Sequence, residues 1–328
     1  MNLRPPAHGV VLEGTGGVWR VRTDAGEPIE ASLRGRLKKS DSGRRRDGSL
    51  RRDTVRSAAG TLKLAVGDDV LLEQSARGDD WAIAEILPRR SALARRAPGG
   101  GQGERIVAAN VDQVVVMFAV AKPEPHLRML DRFLVIAEGN ELAARVIVNK
   151  VDLVDPDAAK AMFHVYEDAG YPVHYTSVKT GAGLADLQGS FADRRSVITG
   201  PSGVGKSSLL NAVFPGAGLR VGAISESVNK GRHTTVGALM LPLPSRGGLS
   251  GYVIDTPGLR EVGLWALPPD HLDRCFPEIR ALSAECRYAD CRHLAEPECA
   301  VRAAVDAGTV SEARYDSYRK LLEELEAG

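Results

Sequence analysis

Eight consecutive residues set the chemistry of this chain. Gly200-Pro201-Ser202-Gly203-Val204-Gly205-Lys206-Ser207 fits the pattern G-x-x-x-x-G-K-[ST]. Such a loop wraps backbone N–H groups around phosphate oxygens, and its glycines let the main chain come close. In that arrangement Lys206 reaches the β- and γ-phosphates, the Ser207 hydroxyl ligates Mg²⁺, and the nucleotide-binding stretch is expected to run from Gly200 through Ser208. The context agrees. Ser196-Val197-Ile198 is a short apolar run of strand type, and Leu209, Leu210 and Val213 have helical spacing. A strand, a glycine-rich turn and a helix N-terminus together make an anion site. The sequence therefore predicts binding of a nucleoside triphosphate.

Other short motifs narrow the base. The apolar run Arg145-Val-Ile-Val148 leads into Asn149-Lys150-Val151-Asp152. A carboxylate at Asp152 can accept from guanine N1–H and N2–H₂, donors that adenine lacks. The Lys150 stem would lie along the base, and Asn149 would tie the loops together. Asp155 and Pro156 just beyond read as a helix cap and first turn, which is compatible with that role. Ser177-Val178-Lys179 resembles the turn that meets guanine O6 through a main-chain N–H in GTPases. Asp255-Thr256-Pro257-Gly258 ends another apolar strand. There Asp255 would hold a Mg²⁺-bound water, and the Gly258 N–H would face the γ-phosphate. Residues 215–237 are rich in Gly, Ser and Thr and read as a switch loop. Thr234 or Thr235 in it would close on Mg²⁺. Leu259 occupies the position where many GTPases carry a water-orienting glutamine. His233 in the switch loop is the candidate catalytic residue in its place, because its ring can donate or accept near neutral pH.

A third group lies near the end of the chain. Cys286, Cys291, His293 and Cys299 bring three thiolates and an imidazole into a short stretch. Four soft ligands suit a closed, structural Zn²⁺ site. Cys275 is left over and reads as a buried thiol, and His271 reads as a surface residue. Few large apolar residues lie between 270 and 310, so metal should be needed to hold that region. Tyr315, Tyr318, Leu322 and Leu325 form one apolar stripe on a final helix beginning near Ser311.

The elements that position these residues can be read in outline. Val111 to Val120 is a buried strand of parallel-sheet type, followed by a helix that Gly139 ends. The helix after Pro156 stops at Gly170, and Pro172 to Tyr175 is a further strand. Ahead of this α/β pattern, five short strands with glycine turns lie within residues 9–87. They suggest a small closed barrel such as an OB-fold, or some other small β-domain. Arg34 to Arg56 carries ten positive charges against Asp41, Asp47 and Asp53. It has few apolar residues and reads as a mobile loop. Arg89, Arg90, Arg95 and Arg96 form a second basic cluster. A charge run is usually a solvated face, but two of them around such a barrel point to RNA, held through phosphates rather than bases. Ala97 to Gly103 reads as a linker.

Composition excludes little. The chain has 328 residues, a net charge of +1, 43% hydrophobic and 26% charged residues, which suit a globular protein of two or three domains. No signal peptide or membrane-spanning run is visible, and a cytoplasmic location is expected.

The order of the motifs is the specific feature. In an ordinary GTPase the phosphate loop precedes N-K-x-D, whereas here Asn149 precedes Gly200. The cyclic order N-K-V-D, S-V-K, G-P-S-G-V-G-K-S, G-R-H-T-T, D-T-P-G resembles the circularly permuted GTPases. With a barrel in front and a Cys/His cluster behind, the chain resembles the family of ribosome small subunit-dependent GTPase A. That resemblance implies a multidomain α/β architecture with three parts. They are an OB-fold barrel over 1–96 with its basic loop at 34–60, a permuted P-loop GTPase domain over 97–266, and a helical zinc-binding domain over 267–328. It implies the same four zinc ligands, GTP hydrolysis with Mg²⁺, maturation of the 30S subunit, and contact with 16S rRNA. A monomer with no membrane partner is expected. The basic loop is longer than the family's usual connection, which leaves its role open.

Overall fold

The structure is a computed structural model, and it describes residues 6–34, 63–74, 80–96, 104–219, 238–245, 248–256 and 267–327. Most of the basic loop, the expected linker, and the switch segment with His233, Thr234 and Thr235 lie outside the described residues, as do Gly258 and Leu259.

The first five strands are β1 (Ala7–Thr15), β2 (Val18–Thr23), β3 (Pro28–Leu33), β4 (Asp69–Gln74) and β5 (Trp81–Ile86). They close into a barrel in the order β1-β2-β3-β5-β4, sealed by the parallel pairing of β3 with β5. Alternation puts Val11, Val21, Ala31, Val70, Leu72 and Ile83 inside, each 2% exposed or less. A closed barrel leaves no free edge, so the expected barrel is present.

Two further strands, β6 (Ala92–Arg96) and β7 (Glu104–Ala109), pair antiparallel across residues 97–103. The glycine run read as a linker therefore joins the strands of a hairpin.

The central sheet contains β8 (Gln113–Ala119), β9 (Ala143–Asn149), β10 (Val173–Tyr175), β11 (Arg194–Thr199), β12 (Leu239–Ser245) and β13 (Gly248–Asp255). Its order is β10-β9-β8-β11-β13-β12, with every pair parallel except β12 with β13. β8 is buried along its whole length, as a central parallel strand should be. Among the described residues the helices that accompany this sheet are α1 (Leu127–Gly139), α2 (Pro156–Asp168), α3 (Leu184–Phe191) and α4 (Lys206–Val213). α2 starts as expected, with the Asp155 carboxylate accepting from Asp157 N–H and Pro156 in the first turn.

The barrel docks on the hairpin and on the amino end of β11. A Cβ at Gly67 would meet the Ala109 carbonyl oxygen at 2.1 Å, so only glycine permits this approach. Arg195 on β11 donates to Asp69 of β4 at 2.6 and 3.1 Å and to the Gly67 carbonyl at 2.9 Å. Arg89 departs from its expected role. It is paired with Asp68 at 2.6 Å, with 11% of its side chain exposed, because a buried carboxylate needs a cation there. Arg90 pairs with Asp112. Arg89 therefore belongs to the junction, whereas 61% of the Arg90 side chain stays exposed.

The C-terminal segment holds α5 (Pro277–Ser283), α6 (Ala300–Asp306) and α7 (Glu312–Ala327). Its apolar residues Leu272, Phe276, Ile279 and Val301 are fully buried in the same cluster as Leu130 and Leu134 of α1. The region expected to lack a core thus shares one with its neighbour.

Candidate nucleotide site and metal centre

Open parallel sheets bind ligands beyond the carboxyl ends of their strands, where the order of strands reverses. Here β8, β9 and β10 run outward one way and β11 and β13 the other, so the reversal lies between β8 and β11. Asn149 ends β9, Ser177 follows β10, Gly200 follows β11, and Asp255 ends β13. The permuted motifs converge on one pole of the sheet.

The phosphate loop is shaped by its glycines. Gly200 has φ +138, and a Cβ there would lie 2.0 Å from the Met117 carbonyl oxygen of β8. Gly205 has φ +96, and a Cβ there would lie 2.8 Å from Asn149 Nδ2. Any side chain at Gly200 forces the backbone off β8. Lys206 folds back, its ammonium donating to the carbonyls of Gly200 and Pro201 at 3.0 and 2.8 Å. Ser207 is 6% and Asp255 8% exposed. A hydroxyl and a carboxylate of this kind at one pole fit the oxygen-rich coordination that Mg²⁺ requires.

The Asn149-Lys150-Val151-Asp152 turn grips the same loop. Asn149, 2% exposed, donates through Nδ2 to the Val204 carbonyl at 2.9 Å. Its Oδ1 accepts from the Thr176 hydroxyl at 3.2 Å. Lys150 takes a left-handed backbone at φ 62. Its ammonium donates to the carbonyls of Gly203, at 2.8 Å, and Lys122. Ser177 donates to Asp152 Oδ1 at 2.6 Å, and Lys179 lies 3.8 Å from Asp152 Oδ2. The Asp152 carboxylate is thus oriented, with Val151 and Val178 in the turns beside it.

Sequence reading missed two contributors. Thr176 is fully buried and carries the bond that fixes the Asn149 amide. Lys122 contributes only a carbonyl, which no sequence signal reveals. Thr256, 6% exposed, has a hydroxyl with no hydrogen-bond partner among the described residues, next to Asp255.

The second centre is the Cys/His cluster. One ligand atom from each of Cys286, Cys291, His293 and Cys299 lies within 4.8 Å of the others. His293 Nδ1 is 3.5 Å from the sulfurs of Cys286 and Cys299, which are 3.9 Å apart. Zn–S bonds of about 2.3 Å and a Zn–N bond of about 2.0 Å in a tetrahedron demand edges of about 3.8 and 3.5 Å. The donor set and spacing fit a closed tetrahedral site. The other ring nitrogen, Nε2, meets the Ser283 hydroxyl at 3.3 Å, which leaves Nδ1 for the metal. The remaining cysteine, Cys275, is buried, and burial pushes its thiol up to about 12, with Glu138 and Asp273 adding to the shift. His271 is exposed, as expected.

The comparisons with known proteins agree with this arrangement. The RsgA GTPase family model matches residues 86–265. The small ribosomal subunit biogenesis GTPase RsgA of Gemmatimonas aurantiaca is 56% identical over 318 residues, covering 97% of both chains. The crystal structure of YjeQ from Thermotoga maritima is similar with a TM-score of 0.76 at 32% identity, covering 99% of this chain and all of that one. YloQ, described as a circularly permuted GTPase, is similar with a TM-score of 0.71 at 26% identity, covering 99% of this chain and 96% of that one. By family model, by relatives along its whole length and by fold, the chain belongs to the RsgA GTPase family, whose members are GTP-hydrolysing enzymes.

Proposed function

We propose that the chain hydrolyses GTP to GDP and phosphate as an assembly factor of the small ribosomal subunit. The relatives' name as small ribosomal subunit biogenesis GTPases supports the role. One observation carries the site. A single buried side chain, Asn149, joins the guanine motif to the phosphate loop through Val204. Base recognition and phosphate binding are therefore one rigid unit, despite the permuted order.

In this reading Asp152 accepts from guanine N1–H and N2–H₂, with Lys150 along the base and Ser177 holding the carboxylate. Gly200 to Ser208 wraps the phosphates. Lys206 exchanges its two carbonyl partners for phosphate oxygens. Ser207 and Asp255 would hold Mg²⁺, which supplies positive charge to the β- and γ-oxygens when bound. Gly258, Thr234 or Thr235, and His233 belong to segments outside the described residues, and their roles rest on sequence alone. Cys286, Cys291, Cys299 and His293 hold zinc as a structural ion. The cytoplasm is the compartment of that work, and 16S rRNA within the 30S subunit is the partner. Among the described residues no helix is long and apolar enough to cross a membrane.

The test is a base swap. Asp152→Asn should weaken GTP binding by about 2–3 kcal/mol through loss of charge-assisted bonds. It should favour xanthosine triphosphate, whose C2 oxygen can accept from the new amide. GTP affinity equal to that of the parent would refute the guanine assignment.

A further inference from the structure

The pole of the sheet opposite the nucleotide carries an arrangement that GTP hydrolysis does not use. Gln113 opens β8 and is 1% exposed. Its Nε2 donates to the Ser190 carbonyl at 2.7 Å and meets the Ser196 hydroxyl at 2.9 Å. A carbonyl can only accept, so this amide cannot flip, and its Oε1 faces the other way. Two guanidinium groups converge on that one oxygen. Arg194 Nη1 lies at 3.3 Å and Arg145 Nε at 3.5 Å. Arg145 Nη1 also meets His174 Nε2.

The other arginines nearby are neutralised. Arg89, Arg90 and Arg195 each have a carboxylate within 3.0 Å. Arg145 and Arg194 have none among the described residues, although Asp193 is adjacent to Arg194 in sequence and Asp186 acts on His174. A neutral amide oxygen orients two cations without cancelling their charge. Burial and then Arg194 lower the Arg145 pKa. Burial and Arg145 pull His174 down, against Asp186, which favours a neutral ring accepting from Arg145.

We infer that Arg145, Arg194 and His174 form a receptor for one backbone phosphate of small-subunit RNA. Guanidinium groups bind phosphate oxygens by paired, charge-assisted bonds. An anion bridging them removes the repulsion that the free protein tolerates. Arg194 is exposed and Arg145 half-buried, so the anion is met at the surface, as a polymer backbone presents it. A contact of this kind fixes orientation and reads no sequence. The inference rests on the small-subunit reading above.

The experiment measures affinity for 30S particles against salt, with the full chain and a non-hydrolysable GTP analogue. Each lost phosphate contact should reduce the slope of log K against log salt by about 1. Arg194→Gln should show that loss and bind severalfold more weakly at low salt. Arg194→Lys should keep the slope. Arg145→Gln should repeat the loss from the half-buried side. Basal GTP hydrolysis should match the parent in every variant, since this pole is remote from the phosphate loop. A parent that binds particles, with Arg194→Gln indistinguishable from it at every salt concentration, overturns the receptor alone. A parent that does not bind overturns the small-subunit reading and the receptor with it.

Discussion

At the scale of single residues, the site combines what each side chain can donate or accept. Asn149 uses both ends of its amide, Lys150 spends its ammonium on two carbonyls, and Asp152 is oriented by Ser177. The water-orienting group is the remaining position. Leu259 cannot hydrogen-bond, so the free protein should hydrolyse GTP slowly. His233 is our proposal for the missing group, on sequence grounds. His233→Ala should bind GTP nearly as well as the parent and lose most of the turnover that 30S particles stimulate, a loss confined to the transition state. Full stimulated turnover in the mutant would exclude His233 and move the search to the ribosome. The motif residues were legible in sequence because each has a fixed chemical partner at a fixed spacing. Thr176 and the Lys122 carbonyl were not, because their roles depend on which loops meet in space. Arg89 was misread for the same reason: its partner, Asp68, lies 21 residues away in sequence.

At the scale of elements, legibility followed the hydrophobic pattern. β8, β9 and β11 announce themselves as apolar runs. β12 does not, because Pro242 and Pro244 interrupt it, which an edge strand tolerates. The β6–β7 hairpin was hidden by its own glycine-rich connection. These elements also join the barrel to the sheet. Arg195 is 17% exposed, and Asp69 is its carboxylate partner across that junction. Among the described residues, Asp69→Ala leaves the guanidinium with the Gly67 carbonyl as its remaining partner. Losing a hydrogen-bonded charge pair of this exposure should cost about 1.5–3 kcal/mol. The junction lies at the amino end of β11 and the phosphate loop at its other end. Calorimetry should therefore find a lower melting temperature with GTP affinity preserved. An unchanged melting temperature would mean that backbone contacts at Gly67 hold the barrel without help.

At the scale of the whole molecule, α7 connects the Cys/His cluster to the helices packed on the central sheet. Arg314 is 2% exposed and bonds Asp131 of α1 at 2.6 Å and Glu278 of α5 at 2.7 Å. The rings of Tyr166, Tyr171 and Phe276 surround it at 4.6 to 5.9 Å. One residue on, Tyr315 donates to the His293 carbonyl, and Tyr318 donates to that of Arg292. The same helix thus bolts to the sheet's helix layer and holds the turn that presents the metal ligands. Sequence periodicity marked Tyr315 and Tyr318 but passed over Arg314, because a buried arginine looks like any surface charge until its partners are known. Two variants should separate the two attachments. Cys291→Ser should lose the bound zinc, from one per chain to none, and raise hydrogen exchange in α6 and the first turns of α7. Arg314→Met should keep the zinc but strand Asp131 and Glu278, a change that costs about 3–5 kcal/mol for a buried pair. Its exchange should rise in α1 and α5 as well as α7. Both should bind GTP, because Asn149 is held by Val204 and Thr176 and Lys206 folds back on Gly200 and Pro201, at the far pole of the sheet. Zinc lost from Arg314→Met would instead make the metal site depend on docking, and the two attachments a single one.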